Sequence, residues 1–226
     1  MAKSEEYIRG DQYLFANKVI EVSEVTPSKF IIQFEKQFTF KAGQVVAISV
    51  DSSHDPRIYS VCSGENDSVM EVLFDRKDDG FLTPKLSTRK PGDRIFASKP
   101  YGGFLPSGEM PMWWIATGTG IAPFHAMIRS GYKAEKLLHG ARESSYFYFE
   151  REFKQVLREN YLRCNSGKDG IGDYFGRVTA YLEACDVLPK NNKYYLCGRA
   201  LMVVEVRDLL ISRGVPYENI ISEIFF

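Results

Sequence analysis

The pattern of hydrophobic and polar positions changes character near residue 100 of the 226-residue chain. Before that point, short alternating or β-branched runs are separated by turn residues, which is typical of antiparallel strands. The runs are Asn17–Val25, Lys29–Phe34, Gln44–Val50, Ile58–Ser63, Met70–Phe74 and Arg94–Ala97. Their spacing predicts an antiparallel barrel or sandwich.

One helix is predicted within this β-rich half. Asp79-Gly80 is typical of a turn, Thr83 is a candidate N-cap, and Pro84 suits the first helical position. Pro91-Gly92 predicts the end of the helix.

A Pro- and Gly-containing segment, residues 100–111, reads as a linker, and beyond it the periodicity changes. Apolar runs now alternate with helical stretches, which predicts a parallel α/β sheet. The strand-like runs are Trp113–Ala116, Lys136–His139, Tyr194–Cys197 and Ile220–Phe226, and the helical stretches are Pro123–Ser130, Phe149–Asn160 and Met202–Arg213. We therefore expect two domains, a β-barrel over residues 1–106 and an α/β domain over residues 107–226.

Composition excludes several classes of protein. Hydrophobic residues make up 44% and charged residues 26% of the chain, the balance of a soluble globular protein. No run approaches the roughly 18 consecutive apolar residues of a membrane span, and residues 1–6 lack the apolar segment of a secretory signal. The 29 basic residues equal the 29 acidic ones, so neither nucleic acid nor a membrane surface is expected as a partner. A cytoplasmic location is expected.

The four cysteines are widely spaced and form no C-x-x-C pair. This spacing argues against a zinc site, an iron–sulfur cluster and a disulfide framework. We therefore expect no metal and four reduced thiols, at Cys62, Cys164, Cys185 and Cys197.

A glycine-rich loop follows the first apolar strand of the second half. The run Met112–Ala116 leads into Thr117-Gly118-Thr119-Gly120, and a helix is expected to open near Pro123. Small residues in such a loop let backbone amides and a helix N-terminus approach a pyrophosphate. Pro123 stands where the third glycine of G-x-G-x-x-G would be, so a tight β–α turn without a ligand is the alternative.

The next strand ends in His139-Gly140-Ala141-Arg142. An NAD site normally has an acidic residue for the ribose near this point. Arginine suits a 2′-phosphate instead, which favours NADP.

Four motifs recur here in the order found in a known family. They are Arg57-Ile58-Tyr59-Ser60, Gly80-Phe81-Leu82-Thr83, Gly118-Thr119-Gly120-Ile121-Ala122-Pro123, and Cys197-Gly198 with Met202. Over almost the whole chain, this order resembles the ferredoxin–NADP reductase family. The chain end, Glu223-Ile224-Phe225-Phe226, resembles the bacterial ferredoxin/flavodoxin–NADP reductases. The resemblance implies a flavin-binding antiparallel barrel followed by a pyridine-nucleotide domain, with FAD and NADP(H) as cofactors.

For the flavin, the resemblance assigns Arg57 to the FAD pyrophosphate, a role that a guanidinium fork suits. It places the Tyr59 ring on the isoalloxazine and Ser60 at the flavin N5 edge. Thr83 and the amides after Gly80 would lie at a helix N-terminus that favours the same pyrophosphate. An exposed arginine, a packed tyrosine and a simple N-cap are the alternatives. The implied FAD contacts are Arg57, Ile58, Tyr59, Ser60, Gly80, Leu82, Thr83, Phe225 and Phe226.

For the nucleotide, the resemblance assigns the loop from Thr117 to Pro123 to the pyrophosphate and nicotinamide side, and Cys197 to the floor beneath the nicotinamide. Family members carry an arginine after a serine near the 2′-phosphate, where this chain has Ser166-Gly167-Lys168. Either Lys168 substitutes as a point charge, or part of the preference for NADP over NAD is lost. The implied NADP contacts are Thr117, Gly118, Thr119, Gly120, Pro123, Arg142, Ser166, Lys168, Arg177, Cys197, Gly198 and Met202.

The last residues are implied to close the site. Phe225 would stack on the flavin face opposite Tyr59 and move aside for the nicotinamide, and Phe226 would cover the adenine end. An apolar last strand is the alternative. The implied catalytic residues are Tyr59, Ser60, Cys197, Glu223 and Phe225.

The function implied is that of a monomeric, FAD-dependent reductase that exchanges electrons between NADPH and a small carrier protein, ferredoxin or flavodoxin. One alternative is an NAD(P)H-dependent reductase for free flavin, a ferric complex or an oxygenase, because function resides in the acceptor surface. Another is a flavin-binding redox sensor without turnover. The intact loop from Gly118 to Pro123 and the presence of Cys197 argue against a sensor.

Overall fold

The structure is a computed structural model that describes residues 6–9 and 12–225, with side chains for residues 13–224. It divides into two compact units, Met1–Leu105 and Pro106–Phe226. None of the helices in the described part of the chain is long and apolar enough to cross a membrane.

The first unit is an antiparallel barrel, as predicted. Its strands are β1 (Glu6–Arg9), β2 (Gln12–Thr26), β3 (Lys29–Glu35), β4 (Val45–Ser49), β5 (Arg57–Ser60), β6 (Val69–Asp75) and β7 (Arg94–Ser98). They follow the order β5-β4-β7-β2-β3-β6, with β1 paired to β2. The two end strands meet through a bridge between Val61 and Val72, beside which the Cys62 amide donates to the Glu71 carbonyl at 2.8 Å. This bridge closes the sheet on itself.

Sequence periodicity explains the barrel core. In β3, Phe30, Ile32 and Phe34 are buried while their neighbours are not, because successive side chains point to opposite faces. The long strand β2 pairs with both β7 and β3. Register shifts between Val19 and Glu21 and between Glu24 and Thr26 bend it, so one strand serves both sides of the barrel.

The helix of the first unit, α1 (Leu82–Ser87), begins earlier than predicted. Phe81 occupies the N-cap position without a side-chain hydrogen bond, and Thr83 lies inside the helix. The predicted N-cap was therefore wrong. Two interactions explain the shift: Leu82 and Leu86 are buried in the barrel core, and the Thr83 hydroxyl accepts a hydrogen bond from the Lys77 amide at 2.9 Å.

The second unit is a parallel α/β sheet, as predicted. Its strands are β8 (Met112–Thr117), β9 (Lys136–Ala141), β10 (Tyr161–Asn165), β11 (Tyr174–Phe175), β12 (Lys193–Arg199) and β13 (Ile220–Phe225), in the order β11-β10-β9-β8-β12-β13. Its helices are α2 (Ala122–Arg129), α3 (Glu150–Leu157), α4 (Val178–Ala184) and α5 (Ala200–Ser212). The connections run outward in opposite directions from β8 and β12. Ligands bind at the carboxyl ends of strands at such a switch point.

Helices cover both faces of this sheet. On one face, Ile115 and Leu196 pack in a core cluster with Val206 of α5. On the other, the rings of Trp114 and Phe124 stack with their centroids 5.4 Å apart. Burial on both faces explains why these strands are near-continuous apolar runs.

Candidate flavin-binding and nucleotide-binding sites

The predicted flavin motif forms β5, an end strand of the barrel path. Arg57 and Ile58 are exposed, Tyr59 is half-buried and Ser60 is buried. The Arg57 guanidinium makes no hydrogen bond or ion pair with the described residues. It is therefore available for an anion such as a pyrophosphate.

The Tyr59 side chain is held by the barrel wall. Tyr59 is the register partner of Val46 on β4, and its ring meets Phe74 edge-on with centroids 6.3 Å apart. Burial raises the pKa of Tyr59, so the phenol stays protonated. The Tyr59 side chain therefore offers an aromatic surface and a neutral hydroxyl that can donate a hydrogen bond.

The start of α1 is built around a tight turn. The Gly80 amide donates to the Lys77 carbonyl at 2.9 Å, and the Thr83 hydroxyl closes the same turn. The Leu82 side chain is buried in the barrel core, so only its backbone is available to a ligand. The predicted contacts of Gly80 and Leu82 with FAD can therefore come only from backbone groups.

Sequence reasoning missed an aromatic and charged group beside α1. The His54 ring stacks on Phe81 with centroids 3.2 Å apart, and the Lys85 ammonium lies 3.5 Å from the Phe81 centroid. Lys85 also pairs with Asp51 at 3.7 Å. The Ser53 hydroxyl and then His54 lower the pKa of Asp51 by hydrogen bonding, so this carboxylate is ionised at neutral pH. The segments Asp51–His54 and Phe81–Lys85 lie more than twenty-five positions apart in sequence, and no local motif could have joined them.

In the second unit, the glycine-rich loop lies against the end of a neighbouring strand. Residues Gly118–Ile121 form a 3₁₀ turn between β8 and α2, and Pro123 is in the first turn of α2. A Cβ atom on Gly120 would overlap the carbonyl group of Cys197, and one on Gly198 would overlap Thr117. Gly198 also has a φ of 148°, which side chains rarely adopt. The crevice between β8 and β12 is therefore lined by backbone.

The Thr117 hydroxyl at this crevice is buried and has no hydrogen-bond partner among the described residues. A buried polar atom without a partner costs free energy, and such groups in native structures call for an explanation. Thr117, Gly120, Cys197 and Gly198 are thus brought together, as the sequence predicts, and Met202 lies beside Gly198. The Thr117 hydroxyl is thus enclosed where the loop after β8 packs on the end of β12.

Cys197 and Glu223 are register partners on β12 and β13, with 4.0 Å between Sγ and Oε2. Burial, and then the nearby carboxylate, raise the pKa of Cys197 well above its usual value. The thiol is protonated at neutral pH and cannot act as a thiolate nucleophile. The thiol therefore fills space at the end of β12 as a neutral group.

The predicted basic residues follow the carboxyl ends of three adjacent strands. Arg142 follows β9, Ser166 and Lys168 follow β10, and Arg177 follows β11. None of the three cationic side chains makes a hydrogen bond or ion pair within residues 13–224. The same edge has an exposed aromatic residue that sequence reasoning missed, Phe175, which is 65% exposed. This edge can accept an anion and a flat aromatic ring.

The remaining site predictions fall at the chain end. The Phe225 backbone completes β13, but its side chain and the whole of Phe226 lie outside the described residues. Their proposed roles stay predictions. No group of three or more His, Cys, Asp or Glu residues in the described part of the chain is placed to hold a metal ion.

Comparisons with known proteins identify the family of the chain. The family described as "Oxidoreductase NAD-binding domain" matches residues 114–208. The ferredoxin–NADP reductase of Azotobacter vinelandii is 30% identical over 206 residues, covering 78% of this chain and 80% of the relative. The flavodoxin/ferredoxin–NADP reductase of Escherichia coli strain K12 is 28% identical over 212 residues, covering 82% of this chain and 85% of the relative.

Among solved structures, a ferredoxin NADP⁺ reductase from Neisseria gonorrhoeae with bound FAD and NADP has the same fold. It is 20% identical, with a TM-score of 0.84 over 94% of this chain and 99% of that chain. The order of the motifs, the two-unit fold and the relatives that align along most of both chains lead to one assignment. The chain belongs to the bacterial ferredoxin/flavodoxin–NADP reductase family.

Proposed function

We propose that the protein is an FAD-dependent oxidoreductase that exchanges electrons between NADPH and a small one-electron carrier protein, ferredoxin or flavodoxin. The observation that carries the proposal is the backbone-lined crevice at the switch point of the second unit, where the Thr117 hydroxyl is buried without a partner. Nicotinamide supplies a flat ring, and its carboxamide can form a hydrogen bond with a hydroxyl. The protein is further proposed to act as a monomer in the cytoplasm.

FAD, when bound, supplies the ability to take up a hydride and to release electrons one at a time. The chain's own residues bind and orient the flavin and the nucleotide, and they exclude water. Arg57 would neutralise pyrophosphate charge, and Tyr59 would present its ring, which Phe74 supports, to the flavin. In the second unit, Gly120 and Gly198 allow backbone to approach the nucleotide, while the neutral Cys197 thiol keeps water from the crevice floor. No side chain in either site needs to remove a proton from the nucleotide.

The test is whether purified protein is yellow, oxidises NADPH with a dye acceptor, and reduces NADP when mixed with reduced ferredoxin or flavodoxin. Colourless protein that cannot be reconstituted with FAD would refute the proposal. Turnover with dye but none with either carrier would favour a reductase for free flavin, a ferric complex or an oxygenase. FAD binding with negligible dye reduction would favour a sensor.

Arg57→Ala should weaken FAD binding about tenfold, because it removes a charge-assisted hydrogen bond worth roughly 1.5 kcal/mol. Fluorescence titration of the apoprotein with FAD measures the effect. Lys18→Ala is the matched control, since Lys18 is an exposed cation on β2, three strands from β5 in the sheet order. Equal affinities in all three proteins would show that Arg57 is a solvated surface residue.

Arg142→Ala should raise the KM for NADPH about fivefold and leave the KM for NADH nearly unchanged. The change removes an exposed charge from the strand-end edge that carries Arg142, Lys168 and Arg177, here named the phosphate edge. Steady-state kinetics with both nucleotides measure the difference. Lys190→Ala serves as control because Lys190 precedes β12 and lies at the opposite edge of the parallel sheet. Equal losses for both nucleotides would assign Arg142 to the fold or to the shared pyrophosphate.

A further inference from the structure

The loop between β10 and β11 holds a carboxylate against the preceding β–α connection. One Asp169 oxygen accepts a hydrogen bond from the Ser144 amide at 2.6 Å. The other accepts from the Asn165 side-chain amide at 2.5 Å and from the Ile171 amide at 3.3 Å. Ser144 lies two residues after Arg142, and Asp169 directly follows Lys168. The Asp169 carboxylate is therefore held on the loop of the phosphate edge that carries Lys168, against the loop that carries Arg142.

This carboxylate is charged under physiological conditions. The hydrogen bond from the Ser144 amide, followed by those from Ile171 and Asn165, lowers the pKa of Asp169. Asp169 itself is solvent-exposed, so its charge acts through water as well as through the loop. An anionic ligand that approaches the phosphate edge is therefore attracted by the cations there and repelled by the Asp169 carboxylate.

The same loop has no room for the family's additional arginine. A Cβ atom on Gly167 would overlap the carbonyl oxygen of Arg142. The loop is held in this position because the Ser166 amide donates to the Ala141 carbonyl at 2.9 Å and the Gly167 amide donates to the Asn165 side chain at 2.8 Å. A side chain at Gly167 would have to displace the backbone that carries Arg142.

We infer that Asp169 determines nucleotide specificity by disfavouring a 2′-phosphate, so that the protein accepts NADH as well as NADPH with only a modest preference for NADPH. A phosphate monoester carries about two negative charges at neutral pH and is repelled by a neighbouring carboxylate. A free 2′-hydroxyl is not repelled and can donate a hydrogen bond to it. This inference rests on the proposed function, since it needs the adenosine end of the nucleotide to lie at this edge.

The test compares wild type with Asp169→Asn, in which the amide oxygen can still accept from Ser144. The probes are 2′-phospho-AMP and AMP, whose dissociation constants are measured by calorimetry, together with kcat/KM for NADPH and NADH. Two ratios are compared: the affinity for 2′-phospho-AMP over that for AMP, and kcat/KM for NADPH over that for NADH. Asp169→Asn should shift both ratios toward the compound with the 2′-phosphate by about threefold to tenfold at low salt. The shift should shrink in 0.5 M salt, a concentration at which exposed charges are screened over about 4 Å.

Asp186→Asn is the matched control, since Asp186 is exposed and follows α4 at the opposite edge of the sheet. It should leave both ratios unchanged. Asp169→Ser, which also removes the charge, should shift the ratios in the same direction as Asp169→Asn and provides the test if the Asn variant does not fold. Gly167→Arg should not raise the preference for the phosphorylated compound, because it displaces the Arg142 backbone.

Three results would overturn the inference. The first is an unchanged ratio in both Asp169 variants while wild type binds both probes. The second is an equal loss of both probes, which would make Asp169 a structural residue of the loop. The third is a gain of phosphate preference in Gly167→Arg that exceeds the gain in Asp169→Asn. If wild type binds neither probe and does not oxidise NADPH, the proposed function itself fails.

Discussion

Gly120→Ala should lower the rate of NADPH oxidation about a hundredfold. The new methyl group would overlap the Cys197 carbonyl, so the loop after β8 must move away from the end of β12. Overpacking of this kind costs about 1–3 kcal/mol. A displacement of about 1 Å at a site that aligns reactants is enough to reduce the rate roughly a hundredfold.

The measurement is the rate of flavin reduction by NADPH in a stopped-flow instrument, with FAD content and thermal unfolding recorded for each variant. Gly108→Ala is the matched control, because Gly108 belongs to the same unit and a Cβ there meets nothing within 4 Å. A Gly120→Ala variant that keeps the wild-type rate would show that close packing of loop and strand is unnecessary for nucleotide alignment.

His139→Phe should make the protein less sensitive to acid. His139 is fully buried, its Nδ1 lies 3.0 Å from the Tyr161 hydroxyl, and its Nε2 has no partner among the described residues. Phe147 and Phe153 pack edge-on against the ring. Burial lowers the pKa of His139 to about 3. The surroundings already suit a phenylalanine.

The sign of the pH dependence follows from the pKa values of His139 in the two states. The unfolded chain binds a proton near pH 6.5, whereas the folded protein keeps His139 neutral until about pH 3. The contribution of His139 to the free energy of unfolding is therefore fully present above pH 6.5 and is lost as the pH falls toward 3. The loss is about 1.4 kcal/mol per pH unit, or roughly 3 kcal/mol at pH 4.5 as an upper estimate.

Urea unfolding at pH 7.5, 5.5 and 4.5, followed by circular dichroism, measures this effect. His139→Phe should cost about 1 kcal/mol at pH 7.5, for the lost bond to Tyr161, and gain relative to wild type at each lower pH. Tyr217→Phe, an exposed aromatic change in the second unit, should follow the wild-type pH dependence. Parallel pH profiles for wild type and His139→Phe would show that His139 does not cause the loss of stability in acid.

The fold could be predicted where local pattern and tertiary environment agree. β3 alternates because one face is buried, and β8 is a continuous apolar run because both faces are covered. β10 and β11 were missed because polar residues interrupt them. The charge of Arg163 in β10 is balanced by the carboxylates of Asp173 and Glu150, each 2.7 Å from a guanidinium nitrogen. Neither partner is evident from a local sequence window. The predicted N-cap at Thr83 failed for a similar reason, since burial of Leu82 sets where α1 begins.

The sites divide in the same way. Motifs singled out Arg57, Thr117 and Cys197 as candidates, because small or charged residues next to a strand end are visible in sequence. The packing of Gly120 on Cys197 was not visible, since it depends on β8 and β12 being neighbours despite the three strands between them in the chain. The contact between Asp169 and Ser144 likewise joins loops 25 residues apart.

The burial of the cysteines has a consequence for the lifetime of the protein. Peroxide and other oxidants attack exposed thiolates, whereas protonated thiols in a packed interior are inert. Cys62, Cys164 and Cys197 are buried, and burial raises the pKa of Cys164 to about 12. Cys185 is partly exposed, yet burial raises the pKa of this thiol too. Peroxide that reaches the protein would therefore meet little thiolate, and the buried Cys197 thiol is protected from oxidation.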